Sequence, residues 1–250
     1  MPFTEIYRDI WRLTIPYADG FTNVFLLRSG AASILVDAAA CEADVKNGIL
    51  PALKDLGVRP QYLVCTHRHE DHCGGMAALG QALDDAEILS FSGDLGNGGR
   101  IGEGDILLDR FKIIELPGHT DDSIGIFDKQ SGVLLTADSL QQDGISWMGL
   151  NLVDAAAYTA TVEKLRAMQP HALIASHEFE PHGAIVIGRD QVNACFDTCL
   201  ASLREMMADL TTYLPCTVDE AIERYNSSHK RKIGDWSMPN FLLYIQGKKA

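Results

Sequence analysis

The sequence lacks any segment that would place the chain in or across a membrane. No stretch of its 250 residues is apolar over a membrane-spanning length. The first residues, Met1 to Glu5, also lack a basic region followed by a long apolar run, which is the pattern of an export signal. We therefore expect a cytoplasmic protein with no membrane partner.

Basic residues are too few for a protein that binds a polyanion. Lysine and arginine total 21 against 34 acidic residues, so the formal net charge is −13. Such a charge repels phosphate backbones and anionic lipid surfaces. We therefore expect a small-molecule substrate and no nucleic-acid partner.

Cysteine is also sparse. The chain has 6 cysteines and no Cys-x-x-Cys pair, which is too few for a disulfide framework in a chain of this length. Cys73, which follows His72, could serve as a soft metal ligand, but a packed thiol is the stronger interpretation.

The chain does carry enough apolar residues, 46% of the total, to bury a large core. Two short apolar runs, Val24–Leu27 and Ser33–Val36, predict a hairpin around a turn at Ser29 and Gly30. Apolar residues at helical spacing over 43–56 predict a helix, in which Pro51 predicts a kink or a split.

Further along the chain, predicted strands end at residue types that bind metals. These strands are Tyr62–Cys65, Phe111–Ile114, Val133–Thr136 and Ala172–Ala175, and they lead to His67, His119, Asp138 and His177 respectively. Helices predicted over about 76–83 and 155–168 alternate with the strands, which indicates an α/β sandwich with helices outside. Ligand sites in such folds gather at strand ends, where distant residues converge.

The character of the chain changes after about Arg189. Apolar residues at helical spacing from Val192 to Leu210 predict one helix, and Thr217-x-x-Glu220 predicts a capping box that begins another. We therefore predict a catalytic domain over residues 1–189 and a helical C-terminal extension over residues 190–250. The extension is expected to pack on the core or on a partner subunit, so a homodimer is one expectation.

The segment from His67 to His72 carries the strongest chemical signal. Alternate residues of an extended loop point the same way, so His67 and His69 can hold one ion through neutral imidazole nitrogens. Asp71 and His72 can then face a second ion. Five of the 8 histidines lie in this segment or at the ends of predicted strands, and chance is a poor explanation for that convergence.

Four motifs together resemble the metal motifs of the metallo-β-lactamase superfamily in order and approximate spacing. They are the His67 segment, Pro117-Gly118-His119-Thr120, Thr136-Ala137-Asp138 and Ser176-His177. The resemblance covers roughly residues 23–183 and implies an α/β fold, the αββα sandwich of the metallo-β-lactamase type. It also implies two divalent metal ions, most readily Zn²⁺, with Fe and Mn as alternatives. The implied ligands are His67, His69 and His119 for one ion, Asp71, His72 and His177 for the other, and Asp138 as the bridge.

The same resemblance implies hydrolysis of an ester, thioester or lactone. A carboxylate suits the bridging position because each of its two oxygens can hold an ion. Two ions about 3.5–4 Å apart can hold a hydroxide near neutral pH, and this hydroxide is the expected nucleophile. Asp71 is the predicted catalytic residue, which would orient the water and move its proton.

Three more residues are candidates for the second shell or the pocket. Asp37 matches the family's buried acid after an early strand, which supports the ligand loop through hydrogen bonds, although the alanines at 38–40 replace the family's hydroxyl residue and glycine. Trp147 belongs to an apolar stretch that either lines a pocket for an apolar substrate group or packs beneath the tail. His182, five residues after His177, either lines the pocket or replaces His177 as a ligand.

Two other functions stay open. The first is oxidative: the superfamily includes persulfide dioxygenases, and a resemblance of this chain to them would imply a single iron on His67, His119 and Asp138. The second is a non-catalytic binding module that kept the fold. Loss of function usually removes metal ligands first, and all seven ligand positions are present here, which disfavours it. Flavodiiron reductases are disfavoured because they carry a glutamate where this chain has His69. Exported β-lactamases are disfavoured by the missing signal peptide, and nucleases by the charge.

Overall fold

The structure is a computed structural model that describes residues 1–96, 98–145, 148–230, 232–234 and 237–247. The chain divides into two units, the first made of Met1–Glu115 and Ile124–Ser131 and the second of Leu116–Ser123 and Gly132–Ala250. The C-terminal extension belongs to the second unit, and the predicted boundary between residues 189 and 190 stays a prediction. No helix among the described residues is both long and apolar enough to cross a membrane.

The first unit is built on a seven-stranded sheet in the order β1 to β7. Its first four strands pair antiparallel, and the pairs from β4 to β7 are parallel. The strands are β1 Thr4–Tyr7, β2 Ile10–Tyr17, β3 Gly20–Ser29, β4 Ala32–Val36, β5 Tyr62–Val64, β6 Glu87–Ser90 and β7 Gly99–Arg100. The same unit holds three antiparallel strands, β8 Ile106–Leu107, β9 Phe111–Glu115 and β10 Ile124–Asp128. The predicted hairpin is confirmed as β3 and β4.

A helical segment joins β4 to β5. It begins as α1 (Glu42–Asp44), widens into a π-helical turn (Val45–Ile49) and ends as α2 (Leu50–Leu56). A kink or a split was predicted at Pro51; the helical segment is continuous but changes from π to α form beside the proline, which stands in the first turn of α2, where its missing N–H costs little. Two shorter helices follow, α3 (Glu70–Cys73) and α4 (Met76–Ala82).

The core of the first unit joins one face of this sheet to these helices. Strand residues such as Leu13, Leu26 and Leu35 pack in one buried cluster with Val45 and Ile49 of the π-helical turn. The predicted apolar stripe of the helix is therefore confirmed in its middle. Its last residue, Leu56, is 38% exposed, because the helix ends there.

The described residues of the second unit form two parallel strands and four helices. The strands are β11 Val133–Ala137 and β12 Ala172–Ala175, and β13 Ile185–Ile187 pairs antiparallel with β12. The helices are α5 Ala155–Met168, α6 Arg189–Tyr213, α7 Val218–Ser228 and α8 Met238–Ile245. Helix α6 packs on α5, α7, α8 and the last two strands. Its buried stripe from Val192 to Leu210 and the capping box of Thr217 and Glu220 are as predicted.

Candidate metal centre

The first unit gathers four of the predicted ligands after β5. His67 Nε2 lies 3.1 Å from His69 Nδ1, and His72 Nε2 lies 3.4 Å from Asp71 Oδ2. His69 still has an extended backbone, but α3 begins at the next residue. The expected extended loop therefore stops at His69. Neighbouring side chains of a strand point to opposite faces, whereas the helical turn lets Asp71 and His72 approach each other.

Asp37 supports two of these histidines from the end of β4. Its Oδ1 accepts a hydrogen bond from the Thr66 backbone N–H at 2.8 Å. Its Oδ2 accepts one from the Thr66 hydroxyl at 3.0 Å and lies 2.8 Å from His72 Nδ1. The aspartate, the threonine and the imidazole are all buried, so these hydrogen bonds form away from water.

The hydrogen bonds assign the tautomers of two imidazoles. Because a carboxylate oxygen can only accept, the proton of His72 is on Nδ1, which donates to Asp37. The one hydroxyl proton of Thr66 goes to Asp37, so Thr66 accepts from His67 Nδ1 at 3.0 Å. Both histidines then carry the lone pair on Nε2. A protonated Nδ1 held by a second group is the usual state of a metal-binding histidine.

Two glycines let the loop after Asp37 pack closely against α3. A Cβ at Gly74 would lie 1.9 Å from the Ala40 carbonyl oxygen, and one at Gly75 would lie 2.1 Å from that of Ala38. The Ala38 N–H also donates to the His72 carbonyl oxygen at 2.8 Å. The alanines at 38–40, which depart from the family pattern, thus form the surface that fixes the ligand turn.

Tyr17 lies at the end of β2 in the same unit and was missed by the sequence analysis. Burial raises the pKa of its phenol, and the negative charges of Asp71 and Glu70 raise it further. Tyr17 therefore lies close enough to the first residues of α3 for their charges to act on its phenol.

The second unit gathers the other three predicted ligands around one oxygen. Asp138 Oδ2 lies 3.2 Å from His177 Nε2 and 3.8 Å from His119 Nε2. All three residues are buried. Asp138 follows β11, whose last residue, Ala137, has a positive φ of 47°. The strand therefore ends in a sharp turn, from which the carboxylate reaches both imidazoles.

Two residues far along the chain approach the other side of His119. The Asn151 carbonyl oxygen lies 2.7 Å from His119 Nδ1, and Gln141 Nε2 lies 2.8 Å from the same nitrogen. The two contacts favour opposite tautomers. We place the proton on Nδ1, because the carbonyl oxygen can only accept and its contact is the shorter one. His119 then also carries its lone pair on Nε2.

The remaining candidates are placed apart from these donors or are not described. His182 Nε2 lies 3.0 Å from the Thr198 hydroxyl on α6, and among the described residues it joins no group of potential metal donors. Cys73 is partly buried, and its Sγ lies 3.5 Å from the Arg68 carbonyl oxygen. Trp147 lies outside the described residues.

Thr66, Gln141 and Asn151 were also missed as functional residues. A signal existed for Thr66, because β5 and β12 both lead into a hydroxyl residue followed by histidine. No such signal exists for Gln141 and Asn151, which lie 22 and 32 residues from His119 in the sequence.

The donor set fits divalent metal ions. Neutral imidazole nitrogens and carboxylate oxygens are the donors that zinc accepts most readily besides thiolates. The buried carboxylates of Asp71 and Asp138 would be stabilised by a cation, since buried charge is costly without a counter-charge. Two pairs of donors within each unit already lie 3.1–3.8 Å apart.

Comparison with known families identifies the class of protein. The model of the metallo-beta-lactamase superfamily matches residues 17–90 and 91–177, which is more than half of the chain. The chain therefore belongs to the metallo-beta-lactamase superfamily.

Several relatives share part of the sequence. The hydroxyacylglutathione hydrolase of Anaeromyxobacter dehalogenans is 33% identical over 49% of this chain and 46% of its own length. That of Rhodospirillum rubrum is 27% identical over 68% of this chain and 66% of its own length. The uncharacterized protein YobT of Bacillus subtilis is 27% identical over 55% of this chain and 70% of its own length. The chain thus spans between about half and two thirds of the length of most of these relatives.

Solved structures confirm the expected fold class. A metallo-beta-lactamase family protein of Thermus thermophilus matches with a TM-score of 0.78 at 17% identity, over 98% of this chain and 96% of that one. The metallo-beta-lactamase FIM-1 of Pseudomonas aeruginosa, in its mono-zinc form, matches with a TM-score of 0.60 at 24% identity, over 81% and 97% of the two chains. The fold is a mixed α/β fold of the metallo-β-lactamase type with a helical C-terminal region.

Proposed function

We propose that the protein is a binuclear zinc hydrolase that cleaves an ester, a thioester or a lactone, with thioesters as the first class to test. The proposed ligands are those that the family resemblance implies: His67, His69 and His119 for one ion, Asp71, His72 and His177 for the other, and Asp138 for both. Membership of the superfamily and the buried histidine and aspartate side chains support a metal-dependent hydrolase.

The position of Asp138 carries this proposal. One of its oxygens lies within 3.8 Å of the Nε2 atoms of both His119 and His177. The proposed ligand sets assign these two histidines to different ions, so a carboxylate that reaches both is suited to bridge them. An imidazole in this position could not do so, because it offers a single lone pair on one nitrogen.

The roles of the protein side chains follow from their contacts. Two bound zinc ions would supply an acidified water and polarise the substrate carbonyl. Asp37 and Thr66 keep the protons of His72 and His67 on Nδ1, so that the Nε2 lone pairs stay available. Asp71, which is buried and next to His72, is the group we propose to orient the water and accept its proton.

A thioester is favoured over the other substrates by the relatives. They include several hydroxyacylglutathione hydrolases, and an acylglutathione is a thioester. A thiolate is also a better leaving group than an alkoxide, so the side chains described here need to supply no general acid for it.

The test combines metal analysis with a substrate panel and one substitution. The purified protein should contain two zinc ions per chain and hydrolyse one or more thioesters, lactones or esters. Asp138→Ala should lower kcat by more than about 100-fold, because even a residue that only orients a ligand contributes 10- to 100-fold. Asp55→Ala, an exposed acid on α2, is the matched control and should keep full activity.

Three results would contradict the proposal. An Asp138→Ala variant with full activity and two zinc ions would exclude the bridging role. One iron per chain together with oxygen uptake on a persulfide would indicate the dioxygenase instead. A fully metallated protein that is inactive on every substrate of the panel would favour the non-catalytic module.

The cytoplasmic location, the small-molecule substrate and the homodimer stay predictions, the last of which light scattering can test.

A further inference from the structure

The C-terminal segment contacts the loop that holds His119, although this segment lies beyond the part of the chain matched by the family model. The hydroxyl of Ser237, just before α8, donates to Asn151 Oδ1 at 3.2 Å. The Gly149 N–H donates to the Lys232 carbonyl oxygen at 2.6 Å. Ser237 is 1% exposed and Asn151 is 4% exposed, so solvent does not compete for the side-chain contact.

Asn151 connects this segment to the imidazole. Its side chain faces Ser237, while its backbone faces the site: the carbonyl oxygen accepts from His119 Nδ1 at 2.7 Å. Its N–H donates to Gln141 Oε1 at 2.6 Å, and the amide nitrogen of the same glutamine lies 2.8 Å from His119. Gln141 thus holds the Asn151 backbone, whose carbonyl oxygen in turn accepts the Nδ1 proton of His119.

The C-terminal segment is itself fixed by α7. The side-chain amide of Asn226 accepts from the Ile233 N–H at 2.8 Å and donates to the Ile233 carbonyl oxygen at 3.0 Å. This two-point contact holds the backbone next to Lys232, whose carbonyl oxygen accepts from Gly149. The chain of contacts from α7 to His119 is therefore continuous within the second unit.

We propose that Gln141, Asn151 and Ser237 are positioning residues for the metal ligand His119, and that the C-terminal extension thereby forms part of the metal centre's support. The inference rests on the proposed function only in that His119 binds a metal ion. Groups that orient a ligating histidine fix its tautomer and its ring plane, and their loss typically costs 10- to 100-fold in metal affinity.

The experiment measures zinc affinity of the apo-protein by competition with a chromophoric chelator, together with the absorption spectrum of the cobalt-substituted protein. Gln141→Ala removes the oxygen that holds the Asn151 backbone against the ring, so the carbonyl that accepts from His119 loses its position, and zinc binding should weaken by about 10- to 100-fold. Ser237→Ala affects His119 only through Asn151 and should weaken zinc binding by about 3- to 10-fold, the effect of one ordinary hydrogen bond. Ser237→Thr keeps the hydroxyl and should restore the affinity.

Two comparisons separate positioning from general destabilisation. Asn151→Ala removes the side chain that Ser237 contacts, so adding Ser237→Ala to it should cause no further loss of affinity. Thr217→Ala removes the capping box of α7 and should destabilise the extension by about 1 kcal/mol, but it leaves the contacts to His119 in place. Its zinc affinity and cobalt spectrum should equal those of the wild type.

The results distinguish this inference from the proposed function. Unchanged zinc affinity and an unchanged cobalt spectrum in folded Gln141→Ala and Ser237→Ala variants would overturn the inference. Equal losses in Thr217→Ala and Ser237→Ala would also overturn it, since destabilisation alone would then explain both. A wild-type protein that binds no zinc or cobalt would refute the proposed function instead, and hydrolysis enters neither measurement.

Discussion

The buried ion pair of Arg110 and Asp128 gives the sharpest prediction about stability. Arg110 Nε and Nη2 donate to the two carboxylate oxygens of Asp128 at 2.8 and 2.7 Å. Arg110 Nη1 also donates to Asp9 and to the Arg28 carbonyl oxygen. Arg110 is 5% exposed and Asp128 is 1% exposed. Arg110→Met keeps most of the side-chain volume but removes every one of these donors.

We expect this substitution to lower the free energy of unfolding by about 3–5 kcal/mol at neutral pH, because it leaves the Asp128 charge buried without its main partner. Urea unfolding of the metal-free protein followed by circular dichroism measures the change. Arg59→Met is the matched control, because the ion pair of Arg59 with Asp85 is solvent-exposed, and it should have little effect.

The pH dependence gives a second signature of the same substitution. Burial by itself would raise the pKa of Asp128, but hydrogen bonds from Arg110, Ser131 and the Gln130 N–H hold that pKa below its usual value. Asp128 therefore stabilises the native protein above its unfolded pKa of about 3.9, and this contribution is lost as the pH falls through the lower folded pKa. Without Arg110, burial should raise the pKa, so Asp128 would become protonated on mild acidification.

The difference between the wild type and Arg110→Met should therefore be largest at neutral pH and should shrink as the pH approaches 4. Two results would refute this reasoning. One is a loss in Arg110→Met no greater than that in Arg59→Met. The other is a loss that stays the same at every pH, which would show that lost packing, and not the buried charge, causes it.

Two further predictions concern the support of the ligand turn. Gly74→Ala should destabilise the protein by about 3 kcal/mol in a thermal melt, because its Cβ would overlap the Ala40 carbonyl oxygen. Gly48→Ala is the control: the nearest atom to its Cβ would be 3.6 Å away, so the same measurement should show no loss of stability or a gain. Asp37→Ala should weaken zinc binding by about 10- to 100-fold in chelator competition while Asp55→Ala leaves it unchanged, and equal affinities would exclude a supporting role for Asp37.

The sequence predicted the elements whose signal is local. The apolar stripe of α6 recurs at helical spacing, and the capping box of α7 is a pattern of four consecutive residues, so both could be predicted from the sequence alone. Strand β2 was missed because Arg12, Thr14 and Pro16 interrupt its apolar residues, and only Ile10, Leu13 and Ile15 of the strand are buried. Strand β10, with the short sequence Ile-Gly-Ile-Phe-Asp, gave too weak a signal to be separated from a loop.

The parts of the site that escaped prediction depend on contacts between residues distant in sequence. The predicted ligands all belong to motifs of a few residues, whereas the groups that orient them do not. Asp37 was predicted only through the family resemblance, whereas Gln141 and Asn151, which follow His119 by 22 and 32 residues, were missed, because only the folded chain brings them to the ring. The local conformation also mattered, because the turn at α3 replaced the extended backbone that was expected beyond His69.

The two units use the same local design for different chemical tasks. In each, two parallel strands lie side by side, the first ending at an acid and the second leading to a hydroxyl residue and a histidine. Asp37 accepts hydrogen bonds from Thr66 and from the Nδ1 side of His72, so its oxygens are used for orientation. Asp138 instead places an oxygen among Nε2 atoms, the side on which a histidine with a protonated Nδ1 binds metal. The contacts of each carboxylate, and not its position after a strand, thus separate a supporting acid from a proposed ligand.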